Sequence, residues 1–358
     1  MNSGLEGIVV ADTMLSDVDG EAGRLVLRGR TLEQLLGCCT FEAAADLLLS
    51  GLLEPSSGRS LGEALGTARQ EVYRALPPRD AALLALAPIE ALRVLLARLP
   101  DGDDFDAAAR LIAAPAVLTA ALLRWQGGKE AVAPDASLAH AADFLRMLRG
   151  YPAPPPAAAA LQEYLVTVMD HGLNASTFAA RVVASTRAGL TSATVAALSA
   201  LKGPLHGGAP GPVLDMLDAV GNPDNAMPWV QEAVRRGARL MGFGHRIYRV
   251  RDPRADALKS ALLRLKAAGG GSSARLALAE AVERAALEIL RREKPGRRLD
   301  TNVELYTALL LEALAIPRDA FTCVFAIGRI TGWVAHAREQ VMTGRLIRPA
   351  SRYIGPQP

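Results

Sequence analysis

"LKGPLHGGAP", residues 201–210, decides how the rest of this chain is read. One histidine, His206, stands between Pro204 and the pair Gly207–Gly208, with Gly203, Pro210, Gly211 and Pro212 close by. Glycine and proline at this density end a helix and open a turn. Yet on both sides apolar residues recur at spacings of three and four, the period of an amphipathic helix. An ionisable ring is therefore set at an abrupt break between helices, where a side chain can face a ligand instead of packing into a core.

Working outward, the helical period returns in "FEAAADLLLSGLL" (41–53), "AALQEYLVTVMD" (159–170) and "TSATVAALSALK" (191–202). It also returns in "RDAALLALAPIEALRVLLARL" (79–99), where Pro88 predicts a kink or break. "GYPAPPP" (150–156) reads as a stiff connector, too short to part independent domains. Only the start differs: "GIVVADTMLSDVDGEAGRLVLRG" (7–29) predicts two small strands joined across the turn-rich "DVDGEAG". A second break falls in "RREKPGRRLDTNVELY" (291–306). About a hundred residues between the two breaks predict a smaller, separately moving unit. The expected fold class is all-α with a small N-terminal β-hairpin.

Composition narrows the function. The chain has 358 residues, half of them hydrophobic and 4% aromatic, enough for a sizeable core packed from helices. A net charge of +3 gives no global field for nucleic acid. No apolar run reads as long and pure enough for a membrane span. "MNSGLEG" has no basic stretch followed by an apolar one, so no signal peptide is expected. Cys38, Cys39 and Cys323 do not make a disulfide framework, which points to a cytoplasmic protein.

Five histidines are present. His140 and His336 fall within helical patterns and read as structural or surface residues. His171, His206 and His245 fall at segment ends, in "MDHGLNAST", "GPLHGGAP" and "MGFGHRIYR". A helix-end histidine satisfied by a backbone carbonyl is the plainer reading of any one of them. No cluster has zinc spacing, so no metal is expected. No GxSxG elbow, dinucleotide fingerprint or phosphate loop is present.

Seven arginines lie between 235 and 254, namely Arg235, Arg236, Arg239, Arg246, Arg249, Arg251 and Arg254, against one acid, Asp252. They read either as a solvated basic face or as an anion site. "DPRADALKSALLRLK" (252–266) predicts a helix capped by Asp252 with Pro253 at its first position, placing Arg254 at the positive end. Guanidinium and free N–H groups there suit a carboxylate or phosphate. A nucleic acid would find only Phe243 and Tyr248 for stacking, so none is expected. In "DTNVELYTALLLEAL", Asn302 caps a helix and Glu304 falls in its first turn, where the dipole favours the ionised carboxylate.

Taken in order, "GLEGIVVADTMLSDVDGEAGRLVLRG" (4–29), "DHGLNASTFAARV" (170–182), "GPLHGGA" (203–209), "GFGHRIYRVRDPR" (242–254), "TNVELYTALLLEALAIP" (301–317), "FAIGRITGWVAHAREQ" (325–340) and "RLIRP" (345–349) resemble the citrate synthase family along essentially the whole chain. The resemblance implies a helical homodimer with a large domain, 1–207 plus 313–358, and a small domain, 208–312, that closes over the substrates. It implies condensation of acetyl-CoA with oxaloacetate to citrate and CoA, or of propionyl-CoA to 2-methylcitrate. The CoA thioester is then a substrate, and no cofactor is needed.

It also assigns residues. Glu304 takes the base position, His206 stabilises the enol and His245 is the acid. His171, Arg254, Arg329 and Phe325 form the oxaloacetate site, with Arg348 reaching in from the partner subunit. Arg249, Arg246, Asn174 and the backbone at Gly242 and Gly244 are CoA candidates. The glycines beside His206 are expected to let CoA approach the backbone. The short N-terminus implies that the extra domain of hexameric, NADH-regulated relatives is absent.

Two positions depart from the family pattern. Glu304 replaces the usual Asp; one methylene moves the carboxylate by roughly 1 Å, a misplacement that can cost about a hundredfold in rate. Gly172 replaces the Glu that commonly follows the histidine of "DHELN". A paralogue that binds CoA or a dicarboxylate without condensing them is the competing class.

Overall fold

The computed structural model describes residues 4–5, 7–55, 58–207 and 210–357, without the side chains at 37, 38 and 210. Gly208 and Ala209 of the opening motif, the expected small-domain start at 208 and the Cys38 side chain lie outside the described residues.

The chain opens with β1 (Ser16–Asp19), β2 (Arg24–Leu27) and β3 (Arg30–Thr31) in one antiparallel sheet of that order. The expected hairpin is present, but "DVD" is strand, pairing Asp17 with Val26 and Val18 with Leu25, so the turn begins at Gly20. β3 adds a third strand through Val26–Thr31 and Leu27–Arg30.

The helices then follow as α1 (Leu32–Cys38), α2 (Phe41–Leu49), α3 (Leu61–Arg74), α4 (Ala81–Leu84), α5 (Pro88–Leu96), α6 (Phe105–Gln126), α7 (His140–Arg149) and α8 (Pro155–Val168). After these come α9 (Ala175–Ala184), α10 (Leu190–Leu201), α11 (Pro210–Val220), α12 (Ala226–Arg235), α13 (Pro253–Ala267), α14 (Ser273–Glu293), α15 (Val303–Ala313) and α16 (Phe321–Thr343). Pro88 breaks the helical run, as the first residue of α5. The proline-rich connector is shorter than expected, because Pro155 already begins α8.

α6 and α16 form the centre of the core. α6 packs against α3, α5, α7 and α16; α16 also packs against α8, α9 and α10. Pro115 lies inside α6 without ending it. An interior proline costs about 3 kcal/mol. Leu111, Ile112, Val117, Leu118 and Leu122 of α6 are all buried, and each contributes about 1.5–3 kcal/mol, so burial outweighs the lost hydrogen bond.

The expectation that no segment is long and apolar enough to cross a membrane is overturned. Phe105–Gln126 and Arg318–Thr343 both pass that test on length and composition. Their most apolar windows are 83% and 89% buried inside the molecule, which accounts for their composition by packing.

Among the later helices, α11 and α13 pack on α15, and α12 on α14. α13 also packs on α8 and α1, and so joins the later helices to the earlier ones. That joint carries Arg254 at one end.

Candidate active site

Five segments meet at the site: the α8–α9 corner, the α10–α11 turn, the 242–254 loop, the start of α15 and the middle of α16. Backbone pairing holds two of them in register. Phe243 bridges Thr301, Gly244 N–H donates to Asp300 (2.7 Å) and Asn302 N–H to Gly242 (2.9 Å). Asn302 Nδ2 donates to the Gly244 carbonyl at 2.8 Å. Gly242 and Gly244 have φ of +85° and +80°, and a Cβ on Gly242 would lie 3.0 Å from Leu305 Cβ. This zipper places His245 beside the helix that carries Glu304.

Asp252 links the same elements from the other side. Its Oδ1 caps α13 by accepting from Arg254 N–H (3.0 Å), as the sequence predicted. Its two oxygens also take Arg254 Nε at 3.0 Å and Nη2 at 2.8 Å. Oδ2 further accepts from Val303 N–H at 3.1 Å, so one carboxylate caps α13 and the start of α15 together. Burial weakens the Arg254 charge, but Asp252 beside it outweighs that and holds its pKa above the ordinary value.

His245 Nδ1 accepts from Ile247 N–H and Tyr248 N–H, each at 3.0 Å. A neutral ring therefore carries its proton on Nε2. Burial first, then Arg254, lowers its pKa to about 4, so the ring is neutral at pH 7. Its Nε2 lies 3.3 Å from Arg254 Nη2. Both atoms are donors, and an acceptor oxygen is the group that satisfies both.

His171 Nε2 lies 3.1 Å from Tyr248 Oη, and the rings of His171, His245 and Tyr248 contact one another. Burial, then Arg254, holds His171 well below its usual pKa. Phe243 and Tyr248 are buried, so neither is a stacking surface for nucleic acid.

His206 sits in the α10–α11 turn, where Gly207 N–H donates to Leu201 at 2.8 Å. A Cβ on Gly207 would fall 2.6 Å from that carbonyl oxygen. The demand for glycine there comes from the chain's own backbone. His206 Nε2 contacts Ser176 Oγ at 2.8 Å. Ser176 Oγ accepts from Trp333 Nε1 (3.1 Å) and gives its proton to Asn174 Oδ1 (2.7 Å). With that proton committed, the His206 proton lies on Nε2 and points at Ser176. Burial, then Arg329, lowers the pKa of His206 to about 4.

Arg329, on α16, has 2% of its surface exposed. Its Nε donates to the Val168 carbonyl at 2.6 Å, and its guanidinium lies over Phe325 at 4.9 Å. Among the described residues no carboxylate lies within ion-pair distance of it. Burial lowers its pKa to about 10, so it remains charged at neutral pH. Asp170 beside it is buried, bonded to His336 Nε2 at 3.2 Å, and His336 Nδ1 lies 2.9 Å from Arg181 Nη1.

Glu304 is capped by Asn302, whose Oδ1 accepts Glu304 N–H at 2.9 Å. Its Oε2 is buried with no hydrogen-bond partner among the described residues. The helix start favours the ionised carboxylate, but burial acts the other way and outweighs Arg239 and Arg254, so its pKa is raised from the ordinary value.

The structure brings His171, His206, His245, Arg254, Glu304, Phe325 and Arg329 together. The charge of Arg254 acts on His171, His245, Glu304 and Arg329, and that of Arg329 on His206. Arg246 and Arg249 are exposed beside this group, and Arg249 still lowers the pKa of His245. Asn174 caps α9 through Ser176 and Thr177. Arg348, expected at the site of the partner subunit, does not reach the site of its own chain. Ile347, next to it, is tied to Ser185 at the far end of α9, roughly 14 Å along that helix from Ser176. Ser176, Asp170 and Trp333 were not singled out from the sequence, since their partners His206, His336 and Ser176 lie 30 to 166 positions away; Tyr248 was read only as a stacking candidate.

Fold and site together define a helical protein with two buried guanidinium groups, three neutral imidazoles and a base-strengthened carboxylate. The family model "Citrate synthase, C-terminal domain" matches residues 4–350. The citrate synthase of Haloferax volcanii is 37% identical, covering 99% of this chain and 96% of that protein. The 2-methylcitrate synthase of Mycobacterium tuberculosis is 34% identical over 99% of this chain and 91% of its own length. The solved ternary complex of carboxymethyl coenzyme A and oxaloacetate with the citrate synthase of Thermoplasma acidophilum superposes with a TM-score of 0.86, at 27% identity, covering 100% of this chain and 97% of that one. This chain belongs to the citrate synthase family, a family of transferase-type condensing enzymes. Citrate synthases use acetyl-CoA as a substrate and need no cofactor.

Proposed function

We propose that this protein condenses acetyl-CoA with oxaloacetate and water to give citrate and CoA. The observation that carries the reading is the pair of converging donors, His245 Nε2–H and Arg254 Nη2, 3.3 Å apart, beside Arg329, which has no ion pair among the described residues, and a buried carboxylate. Oxaloacetate has two carboxylates for the two arginines and a keto oxygen for the donor pair.

In the proposed sequence, Glu304 takes a proton from the thioester methyl, and its raised pKa makes it the stronger base for that step. His206 donates to the thioester oxygen as negative charge builds there. Its Nε2–H must exchange Ser176 for that oxygen when the thioester binds. The enol carbon attacks the keto carbon, and His245 Nε2–H protonates the resulting alkoxide. Water then cleaves the citryl thioester, releasing CoA.

We place His171, Phe325 and the partner subunit's Arg348 in the oxaloacetate site of a homodimer. Arg246, Arg249, Asn174, Gly242 and Gly244 are placed along the CoA path. Residues 208–312 form the closing domain in this account, against 1–207 and 313–358. The proposed setting is the cytoplasm and the tricarboxylic acid cycle. The 2-methylcitrate synthase relative supports one alternative, propionyl-CoA as the acyl donor. Thiol release measured with each ester, with and without oxaloacetate, tests the reading. Oxaloacetate-dependent release is expected, and none with either ester would leave a non-condensing paralogue.

A further inference from the structure

Tyr164 lies on α8 with no exposed surface, and its Oη has no hydrogen-bond partner among the described residues. A buried, unpaired hydroxyl is costly, and few are retained without a use. Val168, one helical turn further along α8, accepts the Arg329 Nε–H at 2.6 Å. Residues four apart share a helix face, so Tyr164 stands next to that guanidinium. α13, which begins with Arg254, packs on the same helix. The charges of both Arg254 and Arg329 act on the phenol. Its depth matches the other groups of the pocket: Arg329, Arg254 and His171 are 2%, 4% and 5% exposed.

We infer that the Tyr164 hydroxyl is a further substrate-binding group, donating a hydrogen bond to a carboxylate of the bound 2-oxo dicarboxylate between Arg254 and Arg329. The inference rests on reading this pocket as the oxaloacetate site. Burial pushes the phenol pKa up, so the group stays protonated and acts as a donor. Two guanidinium groups supply charge, and the phenol adds a neutral donor fixed in direction by its helix. The unpaired hydroxyl of the free protein becomes paired when the dianion enters.

Tyr164→Phe removes only that hydroxyl and separates a binding role from a structural one. Because the hydroxyl has no partner in the free protein, its loss should leave the ligand-free Tm unchanged or raise it. Calorimetric titration with oxaloacetate, without any CoA ester, should show affinity weakened roughly tenfold to a hundredfold, the scale of a hydrogen bond to a charged group. The KM for the acyl-CoA should stay near that of the unaltered protein. Unchanged oxaloacetate affinity would overturn the inference while leaving the enzyme reading standing. So would a lowered Tm with both substrates weakened alike, since that marks a structural hydroxyl. An unaltered protein that takes up no oxaloacetate would overturn this inference and the reading of the site together.

Discussion

Glu304→Gln keeps the volume of the proposed base and removes its ability to take a proton at neutral pH. The magnitude follows from what the carboxylate does and where it sits. A positioned base contributes about a hundredfold to ten-thousandfold, or about 2.7–5.4 kcal/mol of barrier, and turnover should fall by that much. Stability should move the other way. Glu304 has a pKa raised above 4.5 by burial, and Oε2 has no partner. The folded state therefore holds this proton more tightly than the unfolded one. Stability from this group is present at low pH and is lost as pH rises through the folded pKa. Above the folded pKa that contribution is gone, so at such pH the Gln variant should melt at the same temperature or higher. Activity needs the ionised form, so kcat should fall with decreasing pH around a midpoint above 4.5. His206 and His245 ionise near pH 4 and lie below that limb. The assay is thiol release against pH, with calorimetric Tm for both proteins. Near-normal turnover in Glu304→Gln, or an acid limb centred near 4, would refute the assignment. Glu304→Asp draws the carboxylate back by roughly 1 Å and should lower turnover, by up to about a hundredfold. A rise above the unaltered protein would instead favour the non-condensing paralogue.

Two further outcomes are expected. His206→Ala and His245→Ala should each lower turnover by roughly two to four orders of magnitude with little change in Tm; either variant with near-normal kcat would remove that histidine from the mechanism. Mixed dimers of Arg348→Ala and His245→Ala chains should regain activity, because one site then has an intact His245 and an intact partner Arg348; verified heterodimers that stay inactive would argue against sharing.

What was legible in the sequence was local. Asp252, Pro253 and Asn302 announced helix starts because capping acts over two or three residues, and the helices begin there. The breaks after Leu201 and Glu293 followed from glycine and proline in the same way. What was hidden depends on residues far apart. α6 continues through Pro115 because packing on both sides outweighs one lost hydrogen bond, and proline alone reads as a stop. The pKa direction of Glu304 was missed because the helix dipole is visible in a sequence and burial is not. Tyr164 falls in the helical stretch 159–170 with no motif around it; only the arginine seated on Val168 shows what lies beside its hydroxyl.

Formation of the carbon–carbon bond is the claim on which the rest depends. Acetyl-CoA labelled with carbon-13 in its methyl group, incubated with the purified protein and oxaloacetate, puts that claim to a mass measurement of the products. The account predicts label in a tricarboxylic acid of the mass of citrate, formed in step with free CoA and lost in Glu304→Gln. Labelled acetate with no labelled tricarboxylate, or label that stays in acetyl-CoA while oxaloacetate binds, would contradict it.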